Sequence, residues 1–164
     1  MAKKPPADIT KKEVETAQKR WAAAIVDIGN VYMTGGDLVK CATGHIKDLY
    51  GYGDGPVLFK PTKCEQVQFR TTFKGALSYF IGNDFAQLGF NEDQGFAIAP
   101  FVAVRFRNAD FIFEGAKRAI AMGNYFFTTP NGEYAKVEYT FGYRRRGDDL
   151  VIDLHHSSLP FSHG

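Results

Sequence analysis

This sequence predicts an α+β domain in which a curved antiparallel sheet wraps around a long N-terminal helix, with two shorter helices beside it. Three observations predict it. A long amphipathic helical pattern opens the chain, helical spacing recurs twice before residue 82, and everything after Gly95 runs in long alternating stretches joined by tight turns. The simplest packing curls the sheet into a cone with a pocket in its concave face. At 164 residues, one domain over 9–161 is expected, preceded by a Pro- and Lys-rich tail over 1–8.

The elements follow in order. Thr10-Lys-Lys-Glu13 has the form of a capping box, in which side chain and backbone satisfy each other's orphan groups. Val14, Ala17, Trp21, Ala24, Ile25, Ile28, Val31 and Tyr32 then keep helical spacing until Gly35-Gly36 ends the helix. A second helix is expected over about Asp37 to Tyr50, with Leu38, Cys41, Ala42, His45, Ile46 and Leu49 on one side. Residues 51–56 read as a loop, 57–60 and 66–70 as short strands. Thr71 or Thr72 caps a third helix to about Ile81, and 83–94 read as an irregular loop. Strands are expected over 96–107 (Pro100 implying an edge or bulge), 116–129, 133–146 and 150–160. Ala135, Val137, Tyr139, Phe141 and Tyr143 share one face of the third of these.

Composition removes several function classes. Twenty Lys and Arg against 18 Asp and Glu leave a net charge of +2, so no basic field calls for nucleic acid. The run Arg144-Arg145-Arg146 reads as a solvated hairpin end. No apolar stretch is long enough to span a bilayer. The start lacks the apolar segment of a secretory signal and is compatible with the processed form of a periplasmic or plastid precursor. Cys41 and Cys64 are too few for a disulfide framework.

Chemistry is most legible in the last strand, Leu-Val-Ile-Asp-Leu-His-His-Ser-Ser-Leu-Pro over 150–160. In a regular strand Leu150, Ile152, Leu154, His156 and Ser158 share the greasier face, placing His156 and Ser158 at the end of a buried row. Val151, Asp153, His155 and Ser157 then face outward. A bulge between Asp153 and His156 would exchange the two pairs. Arg70 and Arg105 are further candidates for holding an anion, although strand arginines more often make surface ion pairs.

The order of elements and the His-His-Ser-Ser ending resemble the NTF2-like cone folds, and within them the association domains of calcium/calmodulin-dependent kinases. More of the chain is similar to the iota-class carbonic anhydrases. The shared phrases are Val-Leu-Phe-Lys-Pro-Thr (57–62), Val-Gln-Phe-Arg (67–70), Ser-Tyr-Phe (78–80), Gly-Phe-Ala-Ile (95–98), Ala-Met-Gly-Asn-Tyr-Phe-Phe (121–127), Val-Glu-Tyr-Thr-Phe-Gly-Tyr (137–143) and the ending. The resemblance spans about residues 20–161 and implies reversible hydration of carbon dioxide to bicarbonate without a metal cofactor, manganese or zinc being the less favoured options.

The residues agree on zinc. A catalytic zinc needs three converging protein ligands. Cys41 and His45 lie one turn apart on a stripe expected to pack inward, His155 and His156 point to opposite faces, and His163 is in the tail. Without a metal, water keeps a pKa of about 15.7 rather than about 7, so its proton must leave as the oxygen attacks. His156, with an ordinary imidazole pKa near 6.5, is the expected base or water-orienting group, and Ser158 the expected donor to the forming anion. By resemblance, Thr62 and Tyr79 complete the set that binds carbon dioxide and bicarbonate. Read singly, Thr62 caps a turn after Pro61 and Tyr79 is a core phenol.

The rival is a non-catalytic oligomerising association domain, for which the aromatic row of Tyr139, Phe141 and Tyr143 would supply the subunit contact. An isomerase or dehydratase would want a carboxylate in an apolar pocket, and Asp84 and Asp110 are the only nearby candidates. A homodimer is expected by analogy with open cone sheets, which bury their outer face against a copy.

Overall fold

The computed structural model describes residues 1–164 and has the element order α1 (Lys11–Thr34), α2 (Leu38–Leu49), β1 (Leu58–Lys60), α3 (Phe73–Ile81), α4 (Asn83–Ala86), β2 (Ala103–Glu114), β3 (Arg118–Thr128), β4 (Tyr134–Arg146) and β5 (Asp149–Ser158). The capping box forms as expected, with Thr10 Oγ1 accepting from Glu13 N and Glu13 accepting from Thr10 N. Asp37 and Thr72 cap α2 and α3 by single bonds, accepting from Lys40 N and Gly75 N. Gly35 ends α1 at φ 73°, a left-handed conformation that only glycine adopts cheaply.

The five strands form one sheet in the order β1-β5-β4-β3-β2. Strands β2 to β5 are antiparallel neighbours, while the short edge strand β1 runs parallel to β5. Val14, Ala17, Trp21, Ala24, Ile25 and Ile28 of α1 are buried, and Trp21 packs against Tyr125, Phe127 and Phe141 of the sheet. Thirty buried apolar residues make one continuous core. Tyr139, Phe141 and Tyr143 are each at most 1% exposed, so the aromatic row faces the core and offers no subunit contact.

Three local expectations differ. Residues 66–70 form no strand. Their backbone is held instead by side chains: Glu92 accepts from the amides of Glu65, Gln66 and Val67, and the Arg70 guanidinium binds the Val67 carbonyl. The strand expected from residue 96 begins at Ala103, because Pro100 lacks the N–H that a ladder needs. Within the expected loop 83–94 the chain makes the one-turn helix α4.

Two bulges bend the sheet, each opposite a glycine. In β2, Asn108 pairs with Gly123 and Asp110 with Met122, leaving Ala109 over. In β5, Leu154 pairs with Gly142 and Ile152 with Tyr143, leaving Asp153 over. The glycines are needed for close approach: a β-carbon on Gly123 would lie 2.1 Å from the Arg107 carbonyl oxygen, and one on Gly142 2.7 Å from Leu154 Cβ.

Candidate active site

The Asp153 bulge decides which residues reach the interior. Up to Ile152 the inward positions are Leu150 and Ile152, as a regular strand requires. The extra residue then shifts the phase by one, and His155 and Ser157 become 2% and 3% exposed. His156 and Ser158, expected to point inward, instead lie on the outer face. His156 is exposed, and Ser158 Oγ donates to Glu138 Oε1 at 3.3 Å. The expected face assignment is therefore reversed from residue 154 onward.

Around the two inward groups lies a hollow of about 10 Å³, room for a single water-sized group. Trp21, Phe59, Pro61, Phe80 and Phe96 form its apolar wall, and its polar atoms come from Thr62, Tyr79, Tyr125, His155 and Ser157. Each polar side chain is delivered by a separate device. Parallel pairing of β1 with β5 sets Phe59 opposite His155, and just past the end of β1 it carries Thr62 Oγ1 to 2.6 Å from Ser157 Oγ. Tyr79 comes from the fully packed helix α3, with its hydroxyl 3.4 Å from Lys63 N. Tyr125 rises from β3 to bond Ser157 Oγ and, at 3.1 Å, His155 Nε2.

The imidazole of His155 is enclosed. It stacks between Phe59 and Phe141, with ring centroids 4.6 and 4.1 Å away. Both nitrogens bond to phenols: Nδ1 to Tyr50 at 2.7 Å and Nε2 to Tyr125. Burial pushes its pKa well below the ordinary histidine value, and the neighbouring His156 adds to the shift. His155 is thus neutral at physiological pH and a poor proton acceptor. Burial also raises the phenols of Tyr79 and Tyr125, so both remain protonated donors.

Beside the hollow opens a cleft of about 460 Å³, lined by Tyr32, Lys63, Glu92, Asp93, Gln94, Gly95, Ile98, Ala99 and Phe101. Tyr79 and Phe96, stacked 5.6 Å apart, line both spaces. The cleft wall is anchored by Arg70, whose guanidinium makes two bonds of 2.6 and 2.7 Å to Asp93 with both side chains wholly buried.

The other candidates lie elsewhere. Arg70 is committed to Asp93, and Arg105 lies over the Phe126 ring on the exposed side. Asp84 and Asp110 are exposed. Cys41 and His45 are half-buried rather than packed inward, because Asp27 of α1 meets them: His45 Nε2 donates to Asp27 Oδ2 at 2.7 Å, and the Cys41 thiol, pushed up to about 11 by burial and by that carboxylate, donates to the same oxygen. The sequence reading missed His155 and Ser157 as inward groups, and Tyr125 and Tyr50 as their partners. The one available signal was a charged residue, Asp153, interrupting an apolar row.

With this geometry in view, the comparisons with known proteins are consistent. The family model described as metal-independent carbonic anhydrase matches residues 12–159. A metal-independent carbonic anhydrase from Nostoc sp. is 42% identical over 159 residues, covering 93% of this chain and 75% of that protein. The crystal structure of a cyanobacterial iota-carbonic anhydrase complexed with bicarbonate superposes with a TM-score of 0.90 at 39% identity, covering 99% of each chain. A kinase II association domain from Xanthomonas campestris shares the fold at 22% identity and a TM-score of 0.58, covering 98% of this chain and 97% of its own. No helix is long and apolar enough to cross a membrane. The chain belongs to the metal-independent carbonic anhydrases, enzymes of the iota class built on the NTF2-like cone.

Proposed function

We propose that this protein hydrates carbon dioxide reversibly in the hollow between β5 and α3, using hydroxyl groups and no metal. The observation that carries the reading is the convergence of the Thr62, Ser157 and Tyr79 hydroxyls, with Tyr125 and a neutral imidazole behind them, on one apolar recess. Carbon dioxide is apolar and bicarbonate charged, and a greasy wall with a few fixed donors accommodates both.

The catalytic groups in this reading are Ser157, Thr62 and Tyr79, with Tyr125 and His155 supporting Ser157. Carbon dioxide lies against Phe96 and Tyr79, which line both hollow and cleft, and the hollow itself has room for the attacking water. A water held by Ser157 and Thr62 attacks its carbon. As the new C–O bond forms, the water passes one proton to Ser157 Oγ, which hands its own proton to an oxygen of carbon dioxide. The product is carbonic acid, which releases a proton to solvent or buffer in the cleft and leaves as bicarbonate. Tyr79 and Thr62 donate to the oxygens that gain charge during attack, where fixed donors in a dry site are worth most. This scheme needs no strong base, which suits a site whose imidazole is held neutral. His156 and Ser158, on the outer face, take no part.

Stopped-flow hydration with a pH indicator, run after exhaustive chelation, tests the reading. Activity should persist above buffer, and Ser157→Ala should lower kcat/KM by roughly a hundredfold or more, the usual loss of a key transition-state donor. Full activity in Ser157→Ala, or activity that vanishes with chelator and returns with manganese or zinc, would overturn it.

A further inference from the structure

Behind the hollow, a second tier of groups determines which way its protons point. Trp21 Nε1 donates to Tyr50 Oη at 3.0 Å, and Tyr50 Oη lies 2.7 Å from His155 Nδ1. On the far side of the ring, His155 Nε2 lies 3.1 Å from Tyr125 Oη, which in turn bonds Ser157 Oγ. Distances alone leave the direction of donation open along this chain. The indole settles it.

An indole N–H can only donate, so Trp21 occupies a lone pair of Tyr50 Oη. Tyr50 is 1% exposed, and His155 Nδ1 is the only other polar atom its hydroxyl meets. Suppose Nδ1 carried the ring proton. Two donors would then converge on the phenolic oxygen, and the phenol's own proton would be buried without an acceptor, which folded proteins avoid. If instead Tyr50 donates to Nδ1, every group is satisfied. Trp21 cannot turn away, being 1% exposed and wedged edge-on against Phe80, Phe106, Phe127 and Phe141.

We infer that Trp21, acting through Tyr50, is a positioning residue that locks His155 in the Nε2–H tautomer and so turns the site's hydroxyls outward as donors. The inference rests on the proposed role of Ser157 and Thr62 and extends it to residues that never touch substrate. With Nε2 protonated, His155 donates to Tyr125 Oη, Tyr125 donates to Ser157 Oγ, and Ser157 is left to donate to Thr62 or to a substrate oxygen. Each link then points from core to hollow, presenting preset donors to a reaction that generates an anion. The opposite tautomer would reverse the first link and leave Tyr125 free to donate back to the ring, depriving Ser157 of its partner.

The test is spectroscopic first. In 15N-histidine-labelled enzyme near neutral pH, long-range proton–nitrogen correlation should show His155 with Nε2 protonated and Nδ1 bare. A protonated Nδ1, or two averaged nitrogen shifts, would overturn the inference, and this measurement needs no variant. Tyr50→Phe keeps the ring and removes the hydroxyl. It should shift the tautomer signature and lower kcat by about three- to tenfold, the worth of one hydrogen bond, with little change in KM. An unaltered signature with unaltered kcat in Tyr50→Phe would also overturn it. Full activity in Ser157→Ala would sink the site reading itself, whatever tautomer the spectrum records.

Discussion

Gly142 and Leu154 face each other across β4 and β5 so closely that no β-carbon fits at residue 142, and beside them Asp153 has no partner on the opposite strand. This one irregularity selects His155 and Ser157, rather than His156 and Ser158, as the pair that meets Thr62 and Tyr125. Asp153 is itself clamped: its carboxylate pairs with Arg118 of β3 and, at 3.9 Å, with Arg144 of β4. The bulge is thus held from two neighbouring strands.

Gly142→Val should therefore damage the site without touching it. Forcing a branched side chain against Leu154 and the Arg118 guanidinium should destabilise the fold by about 1–3 kcal/mol, as overpacking commonly does, and depress hydration activity more than the stability loss explains. Urea unfolding alongside stopped-flow assay of the folded fraction checks both.

Neighbouring positions in β5 should give opposite results. Ser157→Ala and His155→Ala should each abolish most activity, whereas His156→Ala and Ser158→Ala should stay within about threefold of the parent, as outer-face changes away from a site usually do. Initial rates of carbon dioxide hydration on the four purified variants are sufficient.

His155 should make stability fall with acid. Its pKa in the fold is held well below the unfolded value of about 6.5, so the unfolded chain binds more protons between the two values. Stability from this group is fully present above about pH 6.5 and is lost as pH drops toward the folded pKa, at up to about 1.4 kcal/mol per pH unit. Urea midpoints compared at pH 7.5 and 5 should show the loss, and His155→Gln should flatten it. The pH profile of kcat should carry no inflection from this imidazole near neutrality.

The buried Arg70–Asp93 pair should be the weak point of the cleft wall. Asp93→Asn leaves the guanidinium buried without its counter-charge, and breaking such a pair costs about 3–5 kcal/mol. Thermal unfolding should show the drop, with loosening of residues 65–70 and 92–95 detectable as faster amide exchange.

Much of this molecule was legible in the chain. The capping box at Thr10, the stops at Gly35 and Gly82, the apolar stripe of α1 and the alternation of β4 are local patterns, so the helix-wrapped sheet could be read directly. Thr62 and Tyr79, placed at the site by resemblance, line the hollow in the structure. Period-two counting failed in β5 because a single unpaired residue inverts every side chain beyond it, and a bulge is a property of two strands. The same inversion leaves His156 on the outer face and puts in its place an imidazole that burial keeps neutral.

What the sequence determined by itself was the order of elements, the apolar faces and the presence of adjacent histidines and serines near the end of the last strand. Only the tertiary structure decided which of each pair turns inward. That choice depends on the close approach of Leu154 to a glycine on β4, and on arginines from β3 and β4 holding Asp153 out of register. Contacts across the β4–β5 hairpin and from β3 make that decision, and the alternation of a single strand does not encode them.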